Sequence, residues 1–339
     1  MMRAAVISAF NQPIEIKELS PPKPGFGEVL VHVKAAGLCT TDQHILEGRI
    51  STVKLPHIPG HEGAGEIVEV GEGVTGWSVG DRVVVSIYVT CNKCRFCFTG
   101  HENMCLNVTR IGFERSGFFS EYCAVPQQNL FRVPSNVSFE EACILPDAGA
   151  CMLHAIRNKA RVQAGDYVVV IGATGGLGMQ AIQILKLLGA RVIATSRDEE
   201  RLRYAGEMGA DYLINTKREN LVDTVKKITG IGADVVIDNV GLSQTVADSV
   251  HMLRRCGKVI IVGYLGSEFT ADLFHLFMNE IEIIGCRASL RQDLADMLQW
   301  SGEGLMKPYI SNKYPLEQIN TALQDLAHGK IIGRSVLLP

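Results

Sequence analysis

Four β-branched residues, Val168-Val169-Val170-Ile171, run into Gly172-Ala173-Thr174-Gly175-Gly176-Leu177-Gly178 and then into a helical stretch, 179–188. A strand with both faces covered reads as a continuous apolar run, and this one does. Glycines after it let the backbone turn tightly and approach a pyrophosphate, whose charge the first amides of the next helix meet. A glycine-rich turn alone says little. With a strand before and a helix after, it becomes a dinucleotide-binding fingerprint centred on Gly172, Thr174, Gly175, Gly176, Leu177 and Gly178. Further apolar runs at 192–194, 235–237, 259–262 and 281–284 alternate with helical stretches. That rhythm predicts βαβ units on a doubly wound parallel sheet, an α/β fold.

The chain has 339 residues, beyond the roughly 250–300 at which one core stops growing, so two domains are expected. Before about residue 145 the texture differs: Gly and Pro punctuate short β-branched runs such as Val29-Leu30-Val31-His32-Val33 and Arg82-Val83-Val84-Val85. This reads as a many-stranded β-rich domain with few, short helices. After Cys286 the rhythm breaks again, with an amphipathic helix over 290–302 and a tail that returns to the first domain. The expected division is 1–145 with 286–339, and 146–285 between them. A formal charge of −3 without a basic face gives no reason to expect nucleic acid or an anionic membrane as partner. The longest apolar runs fall far short of the ~20 residues that span a bilayer, and no signal-peptide pattern is present. A cytoplasmic location is expected.

Ten cysteines would suggest disulfides in a short secreted chain, but here they cluster with metal-ligand spacing. Cys91, Cys94, Cys97 and Cys105 make two successive Cys-x-x-Cys steps and a fourth thiol. Four thiolates can close a tetrahedron around Zn²⁺ with no open position, the mark of a structural site; an iron–sulfur cluster is the other chemistry this spacing allows. A second set of metal-capable residues is dispersed: Cys39 in Gly37-Leu38-Cys39-Thr40-Thr41-Asp42-Gln43-His44, and His61-Glu62 in Gly60-His61-Glu62-Gly63-Ala64-Gly65.

These motifs, in this order, resemble the zinc-containing alcohol dehydrogenases of the medium-chain dehydrogenase/reductase family over nearly the whole chain. The resemblance includes Val70-Gly71, Gly80-Asp81-Arg82-Val83, the stretch 117–122 before Val125-Pro126, and the closing Gly333-Arg334-Ser335-Val336-Leu337. It implies a GroES-like catalytic domain beside a Rossmann domain, two zinc ions per subunit, and a homo-oligomer, dimer or tetramer.

By that resemblance Cys39 and His61 bind the catalytic zinc, with Asp147 of Leu145-Pro146-Asp147-Ala148-Gly149 in the third position. Carboxylate oxygen is an acceptable zinc ligand. Cys143 and Cys151 flank Asp147 at four-residue spacing and would share its face on a helix, so either is an alternative ligand. Glu62 resembles the family's carboxylate that approaches the metal, and Asp42 the acid that orients His61 through its other ring nitrogen. Three protein ligands leave a fourth position for water or substrate. Zinc would then polarise the substrate oxygen while hydride passes to or from the nicotinamide. The proton would leave through the Thr41 hydroxyl, the cofactor ribose and His44. Thr41, Tyr88 and Phe113 are the implied pocket residues.

Arg334 and Thr40 are implied cofactor contacts, with Thr40 standing where some relatives carry a basic residue. About 20 positions beyond the glycine turn, NAD-preferring members have an acid on the ribose 2′-hydroxyl. Here that place is Ser196, followed by Arg197. A carboxylate would repel a 2′-phosphate, whereas a hydroxyl beside a guanidinium offers it donors, so NADP is favoured over NAD. Asp198 would replace Ser196 if the strand register slipped by one. The reading is an oxidoreductase acting on small or medium alcohols and carbonyls. The alternatives are a polyol or sugar dehydrogenase, a zinc-free quinone or enoyl reductase, and a non-catalytic nucleotide-binding protein; the persistence of all the ligand residues argues against the last two.

Overall fold

The computed structural model describes residues 1–266 and 268–339. It divides into Met1–Ala150 with Ser289–Pro339, and Cys151–Ala288. These boundaries lie a few residues beyond the expected 145 and 285, which leaves the segment carrying Asp147 in the first unit.

The second unit is built on six parallel strands in the order Tyr212–Asn215, Arg191–Ser196, Tyr167–Ile171, Ala233–Asp238, Leu253–Ile261 and Glu282–Gly285. The earliest strand is central and the chain winds outward to both sides, so the order reverses beside Tyr167–Ile171, where ligands of such sheets bind. Val169, Ile193, Val236 and Val259 are fully buried in its core, which is why these runs carry no polar alternation. Two details differ from expectation. The strand Tyr212–Asn215 was not anticipated; it is a four-residue edge strand with Leu213 exposed, too short to show a periodicity. The helix after the glycine turn is Gly176–Leu187, starting before the expected 179. Glycine's poor helix propensity hides those first positions. Close packing demands one of them: a Cβ on Gly178 would lie 2.3 Å from the Gly172 carbonyl oxygen.

In the first unit the strands run Ile310–Pro315, Arg334–Leu338, Glu28–Leu38, Glu62–Val70, Arg82–Val85 and Leu130–Arg132, with Tyr122–Pro126 also pairing with Glu28–Leu38. Val31, Val33, Ile67, Val83, Phe118 and Phe119 fill the core. The tail helix forms as Arg291–Gly302, and the final strand pairs antiparallel with Glu28–Leu38.

Candidate active site

Strand register assembles the site. Gly37 pairs with Glu62, and Val336 and Ser335 pair with Gly37 and Leu38. One step past the ladder, Cys39, His61 and Arg334 therefore meet at the same strand ends. Gly37 is required there: a Cβ on it would lie 1.9 Å from Glu62 Oε2. From Cys39 the chain turns into the helix Thr40–Leu46, and the Asp42 carboxylate closes that turn, with Oδ2 accepting the Cys39 N–H at 2.9 Å. Its other oxygen, Oδ1, lies 3.0 Å from His61 Nδ1.

Asp147 arrives on a different element. The helix Phe139–Ile144, capped by Ser138 and Glu141, continues into a π-helical turn, Leu145–Gly149, in which the Ala150 N–H reaches back five residues to the Leu145 carbonyl. Pro146 has no N–H to give to an α-helical bond here. Neither Cys143 nor Cys151 falls in the cluster of potential metal ligands that holds Asp147. Cys143 is fully buried and its thiol donates to the Glu140 carbonyl at 3.2 Å; Cys151 begins the second unit.

Cys39 Sγ and His61 Nε2 each lie 3.7 Å from Asp147 Oδ2, and the three ligand atoms all fall within 4.8 Å of one another. Zn–S of about 2.3 Å and Zn–N or Zn–O of about 2.0–2.2 Å put tetrahedral ligand atoms about 3.4–3.8 Å apart. The set fits zinc. Arg334 Nη2 donates to Glu62 Oε1 at 2.8 Å and to Asp147 Oδ2 at 2.9 Å. This placement was hidden in the sequence, where Arg334 read as a cofactor contact. Thr41 Oγ1 is 3.6 Å from Cys39 Sγ. His44, three residues on and so on the same helix face, is buried, while Thr40 at the helix start is exposed. Phe113 is buried with its ring 5.4 Å from that of His61, and Tyr88 is half-buried on the short strand Tyr88–Val89.

The electrostatics favour a cation. Burial would push the His61 imidazole down, but Asp42 and Asp147 at its two nitrogens prevail and hold it well above the usual range. Burial would likewise raise Asp147, yet contact with His61 and the nearby charges of His61 and Arg334 keep it well below the carboxylate range. For Glu62 burial wins over the Arg334 charge and pushes the carboxyl up to about 7. Burial lowers the His44 imidazole, with Arg49 adding to the effect, so it is a neutral base at pH 7.

Elsewhere in this unit, Cys91, Cys94, Cys97 and Cys105 converge. The Cys94–Cys97 and Cys91–Cys105 sulfur separations are both 3.5 Å, close to the edge of a zinc–thiolate tetrahedron. The Lys93 N–H lowers the Cys91 thiol to about 6, and the Leu106 N–H lowers Cys94; burial pushes Cys97 up to about 12. Backbone amides thus already stabilise sulfur anions at two of the four corners.

In the second unit, Gly172, Ala173, Thr174 and Gly175 form the turn, and Gly176, Leu177 and Gly178 the first turn of the helix they open. The contact of Gly178 with Gly172 keeps the cradle clear of side chains at the helix N-terminus, as a pyrophosphate requires. Ser196 ends its strand, and its Oγ accepts the Asp198 N–H at 3.2 Å, leaving the hydroxyl hydrogen to donate. Arg197 is exposed. The Asp198 carboxylate caps the helix Glu199–Glu207 by accepting the Glu200 and Arg201 N–H groups at 2.9 and 3.2 Å. Arg201 was missed in the sequence. Its guanidinium, five residues beyond Ser196, reaches the Thr174 carbonyl at 3.4 Å.

Residues 25–135 match the alcohol dehydrogenase GroES-like domain and 176–303 the zinc-binding dehydrogenase domain. An alcohol dehydrogenase of Geobacillus stearothermophilus is 37% identical over 340 residues, 99% of each chain. A D-arabinose 1-dehydrogenase (NADP(+)) of Saccharolobus solfataricus is 35% identical over 346 residues, 99% of this chain and 97% of that one. The crystal structure of an NAD-dependent alcohol dehydrogenase superposes with a TM-score of 0.95 at 34% identity, covering 99% of both. Fold and ligand sets together define a zinc-binding dehydrogenase, an oxidoreductase. The chain belongs to the zinc-containing alcohol dehydrogenases of the medium-chain dehydrogenase/reductase family.

Proposed function

We propose that the protein is a zinc-dependent alcohol dehydrogenase or carbonyl reductase that exchanges hydride between NADP(H), in preference to NAD(H), and small or medium alcohols or carbonyls. The observation that carries the chemistry is the convergence of Cys39, His61 and Asp147 at tetrahedral spacing, with Asp42 behind His61. Three ligands leave a fourth position open. Zinc held there supplies a Lewis acid for the substrate oxygen, and the nicotinamide supplies or accepts the hydride. The chain's own residues do the rest. Asp42 would fix the His61 tautomer so that Nε2 keeps its lone pair, Thr41 would offer a hydroxyl beside Cys39 to the proton leaving the substrate oxygen, and His44, on the same helix face and lowered by burial, would serve as the base that takes a proton up. Cys91, Cys94, Cys97 and Cys105 hold a second, structural zinc, giving two per chain.

The cofactor preference is supported by Ser196 in the acid's usual place and by Asp198, which is engaged in capping a helix. Arg197 beside them supplies a cation for a 2′-phosphate. A sugar or polyol substrate is the second reading, favoured by the likeness to the D-arabinose dehydrogenase. A homo-oligomer is supported by the exposed Leu273, Phe274, Phe277 and Met278 of the helix Leu273–Asn279, an apolar group that a lone chain would leave in water.

The test is the rate of NADPH and NADH oxidation with a panel of aldehydes, ketones and aldoses, before and after zinc removal, in wild type and Ser196→Asp. NADPH should be preferred, Ser196→Asp should cut kcat/KM for NADPH at least about tenfold, about 1.4 kcal/mol, and activity should vanish with the metal. Faster NADH oxidation by the wild type would retire the cofactor preference alone. Activity surviving complete zinc loss would retire the mechanism.

A further inference from the structure

A thiolate ligand is one atom, but a carboxylate must be aimed, since its two oxygens exchange places on rotation. Asp147 sits on a π-helical turn, between the helix Phe139–Ile144 and the helix Ala150–Leu153. Its Oδ2 faces Cys39 and His61 and is also the atom that accepts from Arg334 Nη2, at 2.9 Å. His61 Nε2, at 3.7 Å, is the other nitrogen that faces this oxygen, and it is the one that would turn to the metal. Arg334 is itself immobilised. It is buried at the first position of its strand, carried there by the ladder with Glu28–Leu38, and the same nitrogen is held by the fully buried Glu62 at 2.8 Å.

We propose that Arg334 is the positioning residue for the third metal ligand, with Glu62 clamping Arg334 and Arg334 aiming Asp147 Oδ2 at the space between Cys39 and His61. The inference rests on the zinc reading above. An oxygen of a carboxylate has two lone-pair directions, so one serves the guanidinium while the other remains for a cation. His61 and Asp147 then share one design, each ligand oriented by a partner that never touches the metal: Asp42 for the imidazole, Arg334 for the carboxylate. Charge alone would predict the reverse outcome, because a guanidinium repels a divalent cation; the two accounts differ in sign.

The experiment measures zinc affinity of the full chain by competition with a chromophoric chelator, and the visible absorption of the cobalt-substituted protein, with no nicotinamide cofactor present. Wild type, Arg334→Met, Arg334→Lys, Asp147→Cys and the Asp147→Cys/Arg334→Met double variant are compared, with circular dichroism as the check of folding. Arg334→Met should weaken the zinc site outside the four-cysteine lobe about 10–100-fold and alter the cobalt bands. Arg334→Lys should lose less, and it carries the comparison should Arg334→Met not fold. In the Asp147→Cys background, Arg334→Met should cost less than about threefold, because a sulfur needs no aiming. Zinc binding that is unchanged or tighter in Arg334→Met, or an equal loss in both backgrounds, overturns the proposal. A wild-type chain that holds zinc only in the four-cysteine lobe overturns the zinc reading and this inference with it.

Discussion

The two oxygens of Asp42 serve different elements: Oδ2 accepts the backbone N–H of Cys39 and Oδ1 faces Nδ1 of His61. Both partners are donors when His61 ligates through Nε2, and asparagine has only one acceptor to offer them. Asp42→Asn therefore either frees the Cys39 turn or forces the wrong imidazole tautomer. Zinc affinity of this site and kcat/KM should both fall about 10–100-fold with the circular dichroism unchanged; unaltered metal content would contradict the assignment. Cys39, Asp42, His61 and Glu62 were legible because two compact motifs carry them, and antiparallel register joins those motifs. Asp147 was legible only as one of three choices, since a regular helix would have shown Cys143, Asp147 and Cys151 on one face. A π-helical turn leaves no periodic trace in sequence. The engagement of Arg334 by two carboxylates was likewise hidden, because it joins side chains as far as 272 positions apart and depends on the long-range pairing of the final strand with Glu28–Leu38.

Elements were legible in proportion to how strongly burial shaped them. The central parallel strands are covered on both faces and read directly from their Val and Ile runs, whereas Tyr212–Asn215, at the edge, did not. The helix Gly176–Leu187 shows the opposite conflict: propensity argues against glycine in its first turn, and close approach of backbone requires it. Gly178→Ala puts a methyl 2.3 Å from the Gly172 carbonyl, so turn and helix must separate. We expect a loss of about 1–3 kcal/mol in stability and at least about tenfold weaker nucleotide binding by fluorescence titration. A variant that binds nucleotide as wild type does would show that this turn is not the phosphate cradle.

At the level of the molecule, protonation links several distant histidines to stability. Burial lowers the imidazole of His57, against the opposing pull of the Gly112 carbonyl it contacts at 2.8 Å, and burial also lowers His32 and His44. An unfolded chain takes up protons near pH 6.5 at such groups while the folded chain resists them. Their stabilising contribution is thus full above that pH and is lost as the pH falls, by at most about 1.4 kcal/mol per group and pH unit. In urea titrations at pH 8, 6.5 and 5, His57→Gln should show a shallower acid loss of midpoint than wild type; parallel curves would exclude His57 from the linkage. Among the described residues no helix is long and apolar enough to cross a membrane.

The pairing of Arg334–Leu338 with Glu28–Leu38 also orders events in time. At about 5–20 residues per second, a ribosome needs roughly 14–54 s to travel the 272 positions from Glu62 to Arg334. Asp147 follows within that interval, and from its synthesis until that of Arg334 the nascent chain carries Cys39, Glu62 and Asp147 without the guanidinium that bonds both acids. The Arg334 contacts are therefore among the last to form during synthesis, and any interruption before Arg334 releases a chain whose Glu62 and Asp147 lack their guanidinium and whose first sheet lacks the strand that joins Ile310–Pro315 to Glu28–Leu38.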